Sequence, residues 1–336
     1  MGGHRVEGVA GRGGMGVVYR AVHLALNRVV ALKLIAPGLA QDPEFRGRFK
    51  RESEVAASLD HPNVVPIYTA GEDGGLLYVT MRFVEGTDLR EMIALRGRLE
   101  PALALRVVSQ VASALDAAHA RGLVHRDVKP ANVLIAGGEG APHAYLTDFG
   151  LTKQASSESG LTRTGRIVGT MDYIAPEQLQ GGVVDARADV YALGCVCYQA
   201  LTGQVPFPRE TEPAKMWAHM SEPAPSLRAG APGLPAGLDA VVARAMAKDP
   251  GGRYLSTGDF ARAAVAATEG QVLSRPERSV ATGQAAPADA SAVADGPGAA
   301  PATARPAVLG SAPTPAVPAA TVIDGSHPPA VTPPTV

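Results

Sequence analysis

Cysteine and aromatic residues are scarce in this sequence, and charges of one sign do not dominate it. The two cysteines, Cys195 and Cys197, are too close for a disulfide scaffold, which favours a reducing, cytoplasmic setting. The net charge of −1 provides no basic field for nucleic acid or a membrane surface. No apolar run is long enough to span a membrane, and the N-terminus does not resemble a secretory signal. We therefore expect a cytoplasmic protein with no nucleic-acid partner and no membrane span.

Composition changes near residue 270 and divides the chain. Residues 271–336 contain no Phe, Trp, Tyr or Lys, so they bury too little surface to offset the entropy of ordering, and we predict a disordered Pro/Ala-rich tail. Before that point, a small strand-rich lobe over 1–84 precedes a larger helical lobe over 85–270, which is an α+β arrangement. The predicted strands are 6–10, 17–21, 29–34 and 76–83. The predicted helices are 46–59, 87–95, 102–120, 185–201, 238–247 and 257–268.

A glycine-rich string at residues 11–18 has the form GxGxxGxV. Gly11, Gly13 and Gly16 allow backbone N–H groups to approach the phosphates of a nucleotide closely. Such a string alone is a weak signal in a chain with 38 glycines. A dinucleotide-binding loop requires a helix directly after it, whereas β-branched Val17 and Val18 predict a hairpin.

Lys33 lies within an apolar predicted strand, where its charge requires a partner or a ligand. One interpretation places Lys33 on the α- and β-phosphates of a nucleotide, with a carboxylate from the next helix beside it. Glu52 and Glu54 both lie on that predicted helix, but on different faces. The residues alone leave the choice between them open.

The string at residues 125–132 carries the strongest chemical signal. Asp127 can orient an attacking hydroxyl and accept its proton, and Lys129 can neutralise charge on a transferred phosphoryl group. Asn132 supplies an oxygen for Mg²⁺. These rare residue types at fixed spacing predict phosphoryl transfer.

Two further strings follow this one along the chain. Asp148 begins Asp-Phe-Gly after an apolar strand, where a carboxylate can bind a Mg²⁺ that bridges phosphates. Ala-Pro-Glu follows at 175–177. The polar segment between them is rich in Ser and Thr, and a long loop inside a domain is usually functional.

Together these strings resemble the eukaryotic-type protein kinases, and most closely the bacterial serine/threonine kinases typified by the mycobacterial Pkn family. The resemblance covers about residues 4–268 and includes the segments 61–65 and 185–194. It implies a bilobal protein kinase fold. It also implies ATP, Mg²⁺ (with Mn²⁺ as a substitute) and transfer of the γ-phosphoryl group to Ser or Thr of protein substrates.

The resemblance implies a nucleotide site built from both lobes. The residues that it assigns to ATP are Gly11, Gly13, Gly16, Val18, Ala31, Lys33, Met81, Phe83, Val84 and Leu134. Among them, Met81 is similar to the gatekeeper, and Phe83 and Val84 belong to the hinge. Asn132 and Asp148 are the implied Mg²⁺ ligands.

For catalysis, the resemblance implies Asp127 as the base and a Lys33–Glu52 ion pair in the active state. Lys129 is the mark of Ser/Thr specificity, and Thr170 resembles the threonine that touches Asp127. Two structural contacts are also implied. Asp189 supports the catalytic loop, and Glu177 pairs with Arg253.

Arg126, directly before Asp127, implies control by phosphorylation of the loop that follows Asp148. Thr162 and Thr164 match the usual phosphothreonine pair, so we expect autophosphorylation there, in trans within a homodimer. A phosphothreonine adds nearly two negative charges and can order a loop against arginine.

Two rival interpretations differ in what the sequence should lack. A pseudokinase scaffold would lack Lys33, Asp127 or Asp148, and all three are present. A small-molecule phosphotransferase would lack Ala-Pro-Glu and the long loop. Many relatives continue into a membrane helix, so we expect either a soluble member or a truncated form of a membrane-anchored kinase.

Overall fold

The structure is a computed structural model, which describes residues 1–13, 16–137, 142–149, 171–271 and 276–287. Five strands within residues 4–82 form an antiparallel sheet. The strand order is β1-β2-β3-β5-β4. The strands are β1 (His4–Gly13), β2 (Gly16–His23), β3 (Arg28–Ile35), β4 (Ile67–Asp73) and β5 (Leu76–Arg82). All the predicted strands are confirmed. Strand β4 was not predicted because its sequence is largely polar and its residues are mostly exposed.

Two helices lie beside this sheet, α1 (Pro37–Ala40) and α2 (Pro43–Ala57). Asp42 begins α2 by accepting a hydrogen bond from the backbone N–H of Glu44 at 2.9 Å, and Pro43 occupies the first turn, where no donor is needed. Phe45 and Phe49 bury one face of α2 in the apolar cluster that also contains Met81. The predicted helix over 46–59 is therefore confirmed and begins three residues earlier.

The second lobe is mainly helical, with a short antiparallel sheet at its top. The sheet strands are β6 (Thr87–Asp88), β7 (Val133–Ala136) and β8 (His143–Leu146). The helices are α3 (Leu89–Arg96), α4 (Pro101–His119), α5 (Pro176–Gln180), α6 (Ala186–Thr202), α7 (Glu212–Ser221), α8 (Leu227–Gly230), α9 (Ala236–Ala245) and α10 (Thr257–Thr268). The two-lobed arrangement expected from the sequence is confirmed.

Helix α6 runs through the core of this lobe and is buried along almost its whole length. It begins at Asp185, whose side chain accepts the backbone N–H of Arg187 at 2.8 Å. It ends at Gly203, which has the left-handed φ of 82° that a helix C-terminus favours. Because α6 is apolar on most sides, its one buried carboxylate, Asp189, needs polar partners.

Residues 276–287 differ from the disordered tail that composition predicted over 271–336. Thr282 donates its backbone N–H to the carbonyl of His119 at 3.0 Å, and Ala285 is fully buried. Backbone hydrogen bonds and a small alanine hold this stretch on the helical lobe, and composition detects neither. No helix in the described part of the chain is long and apolar enough to cross a membrane.

Candidate active site

The predicted catalytic residues meet in the loop between α4 and β7. Lys129 Nζ lies 2.7 Å from Asp127 Oδ2. The 3₁₀ turn at Pro130–Asn132 brings Asn132 back to Asp127, where Nδ2 donates to the backbone carbonyl at 2.8 Å and to Oδ2 at 3.1 Å. The structure therefore brings Asp127, Lys129 and Asn132 together as the sequence predicts.

Asp189 of α6 holds the backbone of this loop from below. Its carboxylate accepts the backbone N–H of His125 at 2.7 Å and of Arg126 at 2.8 Å. The Nε2 atom of His119 lies 2.8 Å from the same carboxylate. Burial alone would raise the pKa of Asp189, but hydrogen bonds from His119 and His125 outweigh it, and the pKa is lowered. Asp189 therefore stays ionised and keeps the loop in place.

Two loop residues adopt left-handed backbone angles that non-glycine residues rarely tolerate. Arg126 has φ 62° and Asp148 has φ 61°. Such conformations persist only where surrounding contacts determine them, and they concentrate at functional sites. Here a hydrogen bond to Asp189 holds the backbone of Arg126, and Asp148 lies between its ion pair with Lys33 and the buried Phe149 that follows it in sequence.

Lys33 of β3 reaches across to Asp148, with Nζ 2.7 Å from Oδ1. Phe149 packs on His125 at 4.8 Å between ring centroids. Burial lowers the pKa of His125, so its neutral ring donates from Nε2 to the carbonyl of Thr147 at 3.0 Å. The Asp-Phe-Gly string is thus joined both to β3 and to the catalytic loop.

The apolar residues among those predicted to bind the nucleotide share one cluster. The members are Val18, Ala31, Met81, Phe83, Val84 and Leu134. Gly16 needs to be glycine because its φ is 149° and a Cβ atom would lie 1.8 Å from the carbonyl oxygen of Leu34. Gly11 and Gly13 lie opposite Val18 and Gly16 in the β1–β2 hairpin. A cavity of about 240 Å³ beside the predicted hinge is lined by Phe83 and Val84 but not by Val18, Ala31 or Leu134.

Thr170, which is expected to touch Asp127, and the predicted phosphorylation sites, Thr162 and Thr164, lie outside the described residues. Arg126, the predicted phosphate receiver, is described. Its backbone carbonyl accepts a hydrogen bond from Nε2 of Gln178 in α5 at 3.0 Å. Gln178, which follows the segment that carries the three threonines, therefore contacts the backbone of Arg126.

Comparison with known proteins decides the family. Residues 4–239 match the Protein kinase domain family. The chain belongs to the protein kinase family. Serine/threonine-protein kinase PknD of Mycobacterium tuberculosis is 47% identical over 255 residues, which is 76% of this chain and 38% of PknD. Serine/threonine-protein kinase PknE of Mycobacterium bovis is 46% identical over 264 residues, 79% of this chain and 46% of PknE.

The fold agrees with this assignment. The crystal structure of the Mycobacterium tuberculosis PknI kinase domain is 37% identical, has a TM-score of 0.64, and is matched over 79% of this chain and 96% of that one. The chain thus has the protein kinase fold. It spans less than half the length of PknD and PknE.

One kinase ion pair expected from the sequence is not formed. Among the described residues, Lys33 is paired with Asp148, and no contact within 4.0 Å joins it to Glu52. Glu52 is half-buried and Glu54 is exposed, so Glu52 is the carboxylate that faces the lobe interior. Burial raises the pKa of Glu52, and the positive charge of Arg126 opposes that shift only in part. In this structure, therefore, α2 does not bring Glu52 within ion-pair distance of Lys33.

The other predicted pair is formed. Arg253 binds Glu177 through two hydrogen bonds, Nη1 to Oε1 at 2.7 Å and Nη2 to Oε2 at 2.8 Å. Sequence reasoning did not identify His119, which joins the end of α4 to Asp189. A histidine on the buried face of an otherwise apolar helix was the available signal, since a buried imidazole needs a polar partner.

Proposed function

We propose that this protein is an active serine/threonine kinase that transfers the γ-phosphoryl group of ATP to a hydroxyl group of a protein substrate. The observation that supports this most directly is the triad of Asp127, Lys129 and Asn132. Lys129 and Asn132 both contact Oδ2 of Asp127, which fixes the carboxylate in one orientation. A carboxylate held in this way can position a hydroxyl for in-line attack.

The nucleotide would lie between the lobes. The adenine would pack against the apolar cluster that contains Ala31 and Leu134. The phosphates would lie under the β1–β2 hairpin, near Lys33. Phosphate oxygens would then compete for the ammonium group that Asp148 holds here. Binding of ATP is thus expected to loosen the Lys33–Asp148 contact.

The implied Mg²⁺ site fits the residues present. Asn132 uses its amide nitrogen for Asp127, which leaves its carbonyl oxygen as a hard donor, and Asp148 contributes a carboxylate. Oxygen ligands of this kind are those that Mg²⁺ prefers. When bound, Mg²⁺ or Mn²⁺ would neutralise phosphate charge.

The chain's own residues would then carry the transfer. The bond between the γ-phosphorus and the bridging oxygen of ADP breaks while the substrate oxygen bonds to the same phosphorus. The hydroxyl proton passes to Asp127. Lys129 lies beside the same carboxylate and would stabilise negative charge on the transferred group.

Regulation and partners extend this proposal. Phosphorylated Thr162 or Thr164 would add negative charge close to Arg126, and one molecule would modify another within a homodimer. We propose that the kinase acts in the cytoplasm. Its substrates would be proteins. A pseudokinase scaffold has no support, because Lys33, Asp127, Asn132 and Asp148 are all present.

The test is incubation of purified full-length protein with radiolabelled ATP, Mg²⁺ and a generic acceptor protein. Lys33→Met and Asp127→Asn serve as inactive controls. We expect label on the wild type, mapping to Thr162 or Thr164, and a loss of about 100- to 10,000-fold in Asp127→Asn. A wild type that binds ATP but labels neither itself nor the acceptor would favour a scaffold over an enzyme.

A further inference from the structure

Residues 276–287, here called the strap, lie across the helical lobe after α10 ends. Glu277 contacts Arg244 of α9 at 2.5 and 3.0 Å. The backbone N–H of Arg278 donates to Asp259 Oδ2 of α10 at 2.9 Å. The strap is thus held at its beginning by one ion pair and one backbone hydrogen bond.

The middle of the strap binds the C-terminal end of α4. Thr282 donates its backbone N–H to the carbonyl of His119, and its Oγ1 to the carbonyl of Ala120, each at 3.0 Å. Carbonyls at the end of a helix lack donors within the helix, so an external donor is favourable there. A Cβ atom added at Gly283 would lie 3.8 Å from the Cα of Gly122, so the two glycines are close neighbours.

The end of the strap covers the residue that enters the catalytic loop. Ala285 is fully buried and clusters with Val124 and Ala186. Val124 directly precedes His125, and Ala186 is the first residue of α6. A larger or charged side chain at position 285 would not fit without displacing the strap.

His119 and Val124 stand on either side of the contacts that hold the catalytic loop. The ring of His119 binds Asp189, and Asp189 in turn holds the amides of His125 and Arg126. The strap therefore contacts the backbone of His119 and the side chain of Val124. These two residues flank the segment that Asp189 holds. The left-handed backbone of Arg126 makes the loop dependent on such support.

We propose that the strap is a positioning element for the catalytic loop, acting through His119 and Val124 to keep Asp127 aligned. It touches no reacting atom. The expected effect of the strap on kcat rests on the proposed kinase activity. The expected effect on hydrogen exchange of the catalytic loop rests on the contacts alone.

The experiment uses full-length protein and three variants with the same change in charge. Ala285→Glu places a carboxylate in the buried site. Thr282→Glu places one against the negative end of the α4 dipole, on the surface, where folding of the lobe is not at risk. Gln284→Glu is the control, because Gln284 is exposed in the same stretch. Hydrogen exchange of residues 119–128 and 276–287 is measured together with kcat and KM for ATP.

We expect Ala285→Glu and Thr282→Glu to accelerate exchange in residues 119–128 by about tenfold or more. We also expect kcat to fall about fivefold while KM for ATP changes less than about twofold. Gln284→Glu should match the wild type. Faster exchange in 276–287 with unchanged exchange in 119–128 would overturn the proposal, as would an unprotected strap in the wild type. If the wild type transfers no phosphate, the kinase proposal fails, and the exchange data still decide the role of the strap.

Discussion

Two ion pairs expected from the same family resemblance have opposite outcomes in the two lobes. In the helical lobe, Arg253 and Glu177 are buried and joined by two hydrogen bonds. In the strand-rich lobe, Lys33 and Glu52 are apart, and Lys33 binds Asp148 instead. The expected pair of the helical lobe is formed, whereas in the strand-rich lobe Lys33 pairs with a different carboxylate.

The difference follows from what holds each partner. Arg253 also donates to the carbonyls of Arg187, Ala247 and Lys248, so its position is over-determined. Glu52 lies on α2, where the neighbouring Ser53 hydroxyl is buried without a hydrogen-bond partner among the described residues. Leaving a buried hydroxyl unsatisfied costs free energy, so the contacts around Glu52 hold it less firmly than those that hold Arg253. We therefore expect α2 to shift more readily than the catalytic loop.

The largest effect should come from breaking the formed pair. Arg253→Met leaves the Glu177 carboxylate buried without its partner, and we expect the free energy of unfolding to fall by about 3–5 kcal/mol. Urea denaturation measures this. The double variant Glu177→Gln/Arg253→Met should recover part of the loss, because no buried charge remains. A single variant as stable as the wild type would show that the pair is not structural.

Changing the unformed pair should instead affect activity. Glu52→Gln removes the charge that would pair with Lys33 in the proposed active arrangement, and we expect kcat/KM to fall about 100-fold, or about 2.7 kcal/mol. The free energy of unfolding should not fall, since a half-buried carboxylate becomes neutral. Glu54→Gln, at the exposed neighbour, is the matched control. Equal activity loss in both variants would contradict the assignment of Glu52.

How much of this the sequence could predict depends on how local each contact is. Asp127, Lys129 and Asn132 are close in sequence, so one motif was enough to bring them together. The Lys33–Asp148 contact was not predicted, because a motif names the groups of a site but not which of two arrangements is populated. The strap was missed for another reason. Its contacts are hydrogen bonds that each involve a backbone group, one ion pair and a buried alanine, while its composition is that of a disordered chain.

An intermediate effect is expected from the segment outside the described residues. Thr162→Ala with Thr164→Ala removes the charge expected to act on Arg126, and we expect the activity of the autophosphorylated protein to fall about tenfold, or about 1.4 kcal/mol. Kinase assays after incubation with ATP measure this. Ser156→Ala with Ser157→Ala is the control in the same segment. Full activity in the threonine variant would remove Arg126 from the regulatory scheme.

The smallest effect is the pH dependence of stability that Glu52 contributes. Burial raises the pKa of Glu52 above the ordinary value of 4.5, so the folded state binds more protons than the unfolded state between 4.5 and the folded pKa. Its contribution is fully present below pH 4.5 and is lost as pH rises through the folded pKa. The stability of the wild type relative to Glu52→Gln should therefore fall with rising pH, as urea titrations of both proteins would measure.

The same measurement can sharpen the comparison between the two ion pairs. In autophosphorylated protein, a formed Lys33–Glu52 pair would lower the pKa of Glu52, because the nearby ammonium favours the carboxylate. The wild type should then gain stability relative to Glu52→Gln as pH rises, which reverses the sign of the difference. An unchanged sign after complete phosphorylation of Thr162 and Thr164 would mean that phosphorylation does not bring α2 to Lys33. The step that forms the pair would then have to be binding of ATP or of a second molecule.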